Sequence, residues 1–535
     1  MRLLLTSVFG PYGVDDEFGR KENKMELFHN QITREQGIFS YRFNHHSFGL
    51  QFLAQNLSFP SVVLDFPSRD RFIEEIKKGY EYVGISFIVP NLIKVQEMAK
   101  LVRKYAPKSK IILGGHGTNI PNLESRVEHD HICRGEGVAF LRQLFGEDMN
   151  RPITHPLAHS SVHRQVMGVP LPQTSGVLIP GVGCANKCRF CATSHFFGAY
   201  TPYLNTGADV FKVCSDYEEK MGVTDFGVLD ENFMKLPERA KELIALMEKN
   251  DKYFTFGIFS SAETLMQLGD LDLLVRMGVT FIWIGVESKK EVYEKNKGVD
   301  FHKLVMDLRR RGISVLTSAI LFSEHHDHNT IWEDVDFAIS LQPDYLQFMQ
   351  LGPIPGTSLY KDYVQKGMIM DDVPYEEQHG QDMIWFRHPH FTREESRDFI
   401  RRAFERDYEV NGASFIRSMR TILWGYQYTS SHADPRVRRR AANFHKLAEQ
   451  MRHFLLAARL FSVNKKTAEL VREVKAEFTK LFGWFDPLAF GVLAYACKEQ
   501  LRLKTKGEAR QPEHMYLQFP KNVSVNLACP CPTAG

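Results

Sequence analysis

The chain is 535 residues long, 43 % hydrophobic and 24 % charged, with a formal net charge of +3. That length argues for two or three domains, and the near-balanced charge excludes a global field that would gather nucleic acid or acidic partners. Eight cysteines are too few for a disulfide scaffold, and no apolar run reaches the ~18 residues of a membrane-spanning helix.

The opening MRLLLTSVFGPYG has one basic residue and an apolar run too short for a signal-peptide core. It reads as a first β-strand, and the expected location is cytoplasmic. Through residue 149, short β-branched runs (RLLLTSVFG 2–10, SVVLDF 61–66, YVGISFIV 82–89, KIILGG 110–115) alternate with helical apolar spacing at 48–57, 69–79 and 91–107. This alternation predicts a doubly wound, flavodoxin- or Rossmann-like parallel sheet that binds its ligand beyond the strand carboxyl ends. Residues 150–174 hold several Pro and His without periodicity and read as a linker. A second αβ alternation follows over 175–385, with strand candidates GVLIPGV, DFGVLDE (225–231), FTFGIFSS (254–261), FIWIGVE (281–287), SVLTSAILF (314–322) and YLQFMQL (345–351). Six strand–helix units predict a partial or full (β/α) barrel with chemistry at the strand C-termini. Long amphipathic patterns without strands fill 386–515, an expected α-helical domain, and 516–535 is expected to be a loose tail.

GCANKCRFCATSHFFG, residues 183–198, places Cys184, Cys188 and Cys191 at the end of the first barrel strand. Thiolates suit iron–sulfur clusters or zinc. Three of them can hold three irons of a 4Fe-4S cluster and leave the fourth open; a structural zinc would need a fourth ligand, for which His195 is the only neighbour.

On these residues the chain resembles the radical S-adenosylmethionine (SAM) superfamily, with CxxxCxxC and an aromatic, Phe190, before the last Cys. The resemblance implies that the open iron binds SAM and that reductive cleavage gives a 5′-deoxyadenosyl radical. Further stretches match along the barrel. GVLDENFM (227–234) resembles the second-strand acidic motif, so Asp230, Glu231 or Asn232 would meet the SAM amino group. FSSAE (259–263) offers Ser261 and Glu263 to the ribose, and WIGVES (283–288) with NKG (296–298) offers Glu287. LGPIPGTSLYKDYVQKGMI (351–369) resembles the segment after the barrel, so the likeness spans about 175–370. One stretch departs from the pattern. LFSEHHDHNT (321–330) puts Glu324, His325, His326, Asp327 and His328 where relatives carry a Gly-Pro-rich turn. These are candidate acid–base groups, against a bland reading as a solvated loop.

The pieces VLDF, VGIS, ILGGHGTN and CRGEG resemble the cobalamin-binding domain that precedes many radical SAM barrels. The resemblance implies Ser86, Gly114, Gly115, Gly117 and Glu136 at the cobalamin, the glycines removing side chains where a macrocycle approaches. The mutase-type DxHxxG is absent, and His45, His46 and His116 fall outside such a pattern, so no lower axial histidine is expected from it.

The reading that follows is a radical SAM enzyme, a cobalamin-dependent C-methyltransferase acting on an unactivated carbon. Its cofactors are a 4Fe-4S cluster, SAM and cobalamin, and its electron comes from a reductant such as flavodoxin or ferredoxin. The substrate class is a small or lipid-like molecule; a peripheral membrane contact stays open, and no nucleic acid is expected. Alternatives within the family are rearrangement, cyclisation or C–C coupling. A methylthiotransferase would use three further N-terminal cysteines, and only Cys133 lies upstream. The alternative from another class is an iron–sulfur protein whose Arg436, Arg438, Arg439 and Arg440 dock the helical domain on lipid or RNA. Cys214, Cys497, Cys529 and Cys531 are scattered and argue against an auxiliary cluster.

Overall fold

The computed structural model describes residues 1–10, 27–42, 45–161, 164–171, 174–290, 296–507 and 515–519. β1 (Leu3–Thr6), β2 (Ser61–Asp65), β3 (Tyr82–Ser86), β4 (Lys110–Gly114) and β5 (His131–Ile132) form a parallel sheet in the order 2-1-3-4-5. Every residue of β1 and β2 is buried, which is why both read as unbroken apolar runs. Helices Arg69–Ile76 and Leu92–Tyr105 cover one face through Phe72, Ile76, Val95, Met98 and Val102. Leu50, Ala54 and Leu141, from helices Phe48–Gln55 and Gly137–Phe145, cover the other. Strand order reverses between β1 and β3, and ligands of such sheets bind beyond the strand ends at that point.

Residues 150–174 depart from the expected linker. β6 (His159–Ser161) pairs antiparallel with β9 (Thr174–Leu178), and β7 (Arg164–Val166) pairs with β8 (Val169–Leu171). Three-residue strands leave no periodicity to read. β10 (Gly181–Val182) and β11 (Thr201–Pro202) then bracket the cysteine loop as a short antiparallel pair. β12 (Asp225–Val228), β13 (Thr255–Phe259), β14 (Val279–Glu287), β15 (Ser314–Leu321) and β16 (Tyr345–Gln350) continue from β9 as six parallel strands. Among the described residues β16 and β6 are the edges, so the barrel is partial.

Period-two alternation sorts the two faces of this sheet. Phe226, Val228, Phe256, Ile258, Ile282 and Ile284 are buried in the core shared with the outer helices. On the inner face Gly227 pairs with Gly257, and a Cβ added at Gly227 would meet nothing within 4 Å. The strand N-terminal end is plugged: Ile32 and Phe28 pack with Phe281, Trp283, Leu316 and Tyr345. The lumen is therefore closed below and roomy above.

The helical domain is tied to the barrel by buried charge. Arg309 lies 3.2 Å from Asp344, which also accepts the Thr421 hydroxyl at 2.6 Å and the Val315 N–H at 2.9 Å, and Arg417, paired with Asp407 at 2.8 Å, donates to the Pro343 carbonyl at 3.1 Å. The arginine patch is paired within the chain, with Arg438 and Arg439 still exposed. Arg436 pairs with Glu248 (2.8 Å), Arg439 with Asp251 (2.9 Å), Arg438 donates to the His432 carbonyl (2.6 Å) and Arg440 to that of Val275. Within the stretch expected as a loose tail, β17 (Met515–Phe519) runs antiparallel along β2 and covers that edge. Cys529 and Cys531 lie outside the described residues.

His155 fastens the connecting segment to the barrel, its Nε2 accepting the Ile179 N–H at 2.9 Å. That bond requires the neutral ring, and burial lowers the His155 pKa to about 4. A base whose folded pKa is depressed contributes stability above its unfolded value, near 6.5, and loses it as pH falls toward 4. Denaturant unfolding of the apoprotein at stepped pH should show this loss, on the order of 3 kcal/mol from this residue. His155→Phe should be less stable at pH 7.5 yet show a flatter dependence between pH 6.5 and 4.

Candidate functional site

The cysteine loop starts with a turn that only glycine tolerates. Gly183 has φ 84°, and a Cβ there would lie 2.1 Å from the Ala199 carbonyl oxygen. The Cys191 N–H donates to the Cys188 carbonyl at 3.0 Å, and Cys191 caps helix Ala192–Phe197. Cys184, Cys188 and Cys191 are all half-buried and unoxidised. Burial raises the Cys184 pKa, helped by the neighbouring Glu231, Cys191 and Cys188. Cys188 and Cys191 thus lie near enough to act on the charge of Cys184, and a metal there would hold the three as thiolates. His195 does not complete the set: its Nδ1 lies 2.9 Å from the Cys191 carbonyl and its Nε2 3.2 Å from the Ser358 hydroxyl.

The segment after the barrel pins this loop from outside. Leu359 N–H and the Ser358 hydroxyl donate to the Arg189 carbonyl at 3.0 and 3.2 Å. The Arg189 guanidinium lies 3.0 Å from Asp362 and 3.5 Å from Glu324. Phe190 packs into the apolar cluster around Phe322 and Phe348.

At the end of β12 the three acidic-motif residues part ways. Asp230 points away from the lumen into a buried ion pair with Arg239 at 2.9 Å, and Tyr200 donates to the same oxygen at 2.7 Å. Asn232 is equally occupied: its Oδ1 accepts from Ser261 N–H (3.2 Å) and the Ser260 hydroxyl (3.1 Å), and its Nδ2 donates to Ser261 and Thr264. Ser261 in turn caps helix Ala262–Leu268, and Glu263 accepts from Gln267 at 2.9 Å. Glu231 alone turns toward the cysteine loop, where it meets the Thr193 side chain and acts on Cys184. Solvent reaches it, but it sits deep among protein atoms, and this burial with the adjacent Asp230 raises its pKa. Glu287 ends β14 buried, at φ 65° and beside a register shift.

The histidine-rich turn is ordered by hydrogen bonds. His326 is fully buried; its Nδ1 accepts the Ser323 N–H at 3.0 Å, so the proton sits on Nε2, 2.9 Å from Asp334. With His325 these groups come within 4.8 Å of one another. A metal would have to strip the Nε2 proton while Nδ1 still accepts a backbone N–H, so the arrangement is a strut. His325 touches the Ser323 hydroxyl at 3.0 Å, and burial lowers its pKa. His328 lies on Phe391 and 3.5 Å from Glu395, and Glu324 pairs with Arg189 and Lys366.

Above the first sheet lies a cavity of about 350 Å³ between the two domains. Ser86, Gly114, Gly115 and Glu136 line it from below, together with His116 and Cys133; Ile179, Val182, Phe196, Phe197 and Tyr203 line it from the barrel. Gly115 has φ 88° and approaches the Phe87 backbone too closely for a Cβ. Gly117 is not at the cavity: a Cβ there would strike the Phe87 ring at 2.3 Å, so this glycine serves packing. The Glu136 carboxylate caps helix Gly137–Phe145 and accepts the Tyr203 hydroxyl at 2.5 Å, joining the domains. His116 stacks 4.6 Å from Phe196, and burial lowers its pKa to about 4. Tyr203, Phe196 and Phe197 escaped sequence reasoning because only the domain contact gives them a role; their one signal was their place beside the cysteines.

An α/β domain with a ligand cavity at its switch point, set against a partial barrel bearing three converging cysteines, defines a two-cofactor enzyme. Family models agree: the radical SAM superfamily matches residues 178–338 and the B12 binding domain residues 37–145. The chain belongs to the radical SAM enzymes that carry a cobalamin-binding domain. It is 24 % identical over 322 residues to the bacteriochlorophyllide d C-8(2)-methyltransferase of Chlorobaculum tepidum, covering 54 % of this chain and 70 % of that one. It is 21 % identical over 378 residues to an uncharacterized methyltransferase of Pyrococcus horikoshii, covering 61 % and 78 %. Among solved structures, the radical SAM methyltransferase TsrM of Kitasatospora setae aligns at 14 % identity and a TM-score of 0.49, over 94 % of this chain and all of that one.

The residues fit the cofactors of this family. Three thiols with no fourth ligand suit a 4Fe-4S cluster with one open iron. The lumen beside Gly227 has room for SAM, Glu231 offers it a carboxylate, and the glycine-edged interdomain cavity suits cobalamin.

Two neighbouring acids should separate by assay. Asp230→Ala strands the buried Arg239 and should cost about 3–5 kcal/mol in denaturant unfolding. Glu231→Gln should leave stability unchanged while weakening SAM binding about tenfold or more in calorimetry of the reconstituted protein.

Proposed function

We propose that this enzyme transfers a methyl group from SAM to an unactivated carbon of a small organic substrate, with cobalamin as the carrier and an external one-electron reductant such as a flavodoxin or ferredoxin. One observation carries the reading: the helix that begins at Cys191 puts Phe196 and Phe197 in the wall of the cavity edged by Ser86, Gly114 and Gly115. Both cofactor sites therefore share one short helix. The names of the Chlorobaculum and Pyrococcus relatives, both methyltransferases, support methyl transfer.

When bound, the cluster and cobalamin supply the electron for SAM cleavage and the carrier for its methyl group. The chain's own residues do the rest. Cys184, Cys188 and Cys191 hold the cluster as thiolates, and Glu231, next to Cys184, offers a carboxylate to the SAM ammonium. Ser261 and Asn232 act on the ribose region indirectly, by fixing the ends of β12 and β13. Glu136 and Tyr203 hold the two domains together across the cavity, and Phe196 and Phe197 keep water from the passage between the sites. His325, half-exposed at the end of β15 and neutral near pH 7, is the acid–base candidate for the substrate.

The test is anaerobic reconstitution with hydroxocobalamin, SAM and dithionite. S-adenosylhomocysteine should form in at least stoichiometric amount only when cobalamin is present. 5′-Deoxyadenosine should disappear, with the cluster absorbance, in Cys184→Ala, Cys188→Ala and Cys191→Ala. S-adenosylhomocysteine formed equally without corrinoid overturns the proposal.

A further inference from the structure

Residues 483–507 of the helical domain expose apolar side chains in a pattern, not singly. On helix Ala489–Lys506, Phe490, Ala494, Cys497 and Leu501 recur every three or four residues and are all exposed, Phe490 at 74 % and Leu501 at 64 %. Ala489, Val492 and Ala496 on the opposite face are buried in the domain core or close to it. The stripe spans about 16 Å at 1.5 Å per residue. It continues into the preceding loop, where Phe485 (76 %) and Leu488 are exposed. Scattered exposed apolar residues are ordinary, whereas a continuous stripe rimmed by polar groups marks a contact surface.

Charge identifies the contact. Residues 483–507 contain two acids, Asp486 and Glu499. Asp486 is turned inward to His453 at 2.6 Å, and Glu499 is held by Arg502 at 3.0 Å with little exposure. Lys498, Lys504 and Lys506 all face solvent. The face thus presents aromatic and aliphatic groups among lysines, with both acids hydrogen-bonded behind it. Among the described residues no helix is long and apolar enough to cross a membrane, which leaves an in-plane mode of contact.

We propose that this face docks on an anionic phospholipid bilayer, with Phe485, Leu488 and Phe490 entering the headgroup boundary and helix Ala489–Lys506 lying in the plane of the surface. An interfacial helix needs this combination of an apolar face and flanking lysines, and it acts by buried area plus attraction to anionic lipid. The proposal is independent of the methyl-transfer reading.

Co-sedimentation of the full-length, cluster-reconstituted protein tests it. Vesicles of phosphatidylcholine with about 30 % phosphatidylglycerol should bind at least about tenfold more tightly than phosphatidylcholine alone, and about 0.5 M NaCl should weaken the binding. The variant Phe485→Ser/Phe490→Ser/Leu501→Ser and the variant Lys498→Glu/Lys504→Glu should each lose about tenfold or more, with unchanged unfolding midpoints because these side chains face solvent. Equal binding of wild type to both vesicle types, or full binding by either variant, overturns the proposal. So does a concentration-dependent dimer in sedimentation velocity that the apolar substitutions dissolve, which would assign the face to a second copy of the chain.

Discussion

The site depends on holding nine residues, Gly183 to Cys191, in one shape without help from the metal they are to bind. Left-handed backbone at Gly183, the Cys188–Cys191 turn, and the grip of Ser358 and Leu359 on the Arg189 carbonyl all act on this loop. None of these contacts uses a thiol. Gathering thiolates here has a cost: burial raises the Cys184 pKa, and the charges of Glu231, Cys191 and Cys188 add to it. A scaffold that fixes the loop in advance carries the cost in the fold, so that binding a cluster relieves it. The exposed Arg189 ion pairs contribute little energy each; the backbone hydrogen bonds they accompany do the fixing, and the salt bridges set the angle at which the segment after the barrel arrives.

The same division between positioning and chemistry recurs at β12. Asp230, Glu231 and Asn232 are consecutive, yet one supports Arg239, one turns toward the cysteine loop and one ties two strand ends together. β12 ends at Val228 and the chain turns through these residues, so each side chain leaves in its own direction.

Much of the fold was legible because its signals are local. Buried parallel strands announce themselves as β-branched runs, and the cysteine loop is defined by spacing alone. Illegible features were those made by contacts between distant segments. β6 is three residues long and has meaning only beside β9; β17 reads as tail until it meets β2. The arginines at 436–440 looked like a free basic face, and their partners Glu248 and Asp251 lie almost two hundred residues away. At the candidate site the cysteines could be read from spacing and the cavity glycines Gly114 and Gly115 from the resemblance of their stretch, whereas Gly117 could not be told from them. Only the Phe87 ring distinguishes it. Tyr203 and Phe196 matter because two domains meet there, and no periodicity encodes that meeting.

The histidine-rich turn shows how a cluster that looks like chemistry can serve geometry. Asp334 takes the His326 Nε2 proton on one side and the Lys289 N–H, at 3.0 Å, on the other. It therefore ties the residues just after β14 to those just after β15. Two residues before Lys289 stands Glu287, a buried non-glycine residue at φ 65°. Such a conformation costs of order 1–3 kcal/mol and persists only where its surroundings over-determine it. The β14–β15 register shift and the Asp334–His326 strut supply that constraint at this strand end. On this account His326 holds the shape of the turn, with the half-exposed His325 ring against it and on the Ser323 hydroxyl.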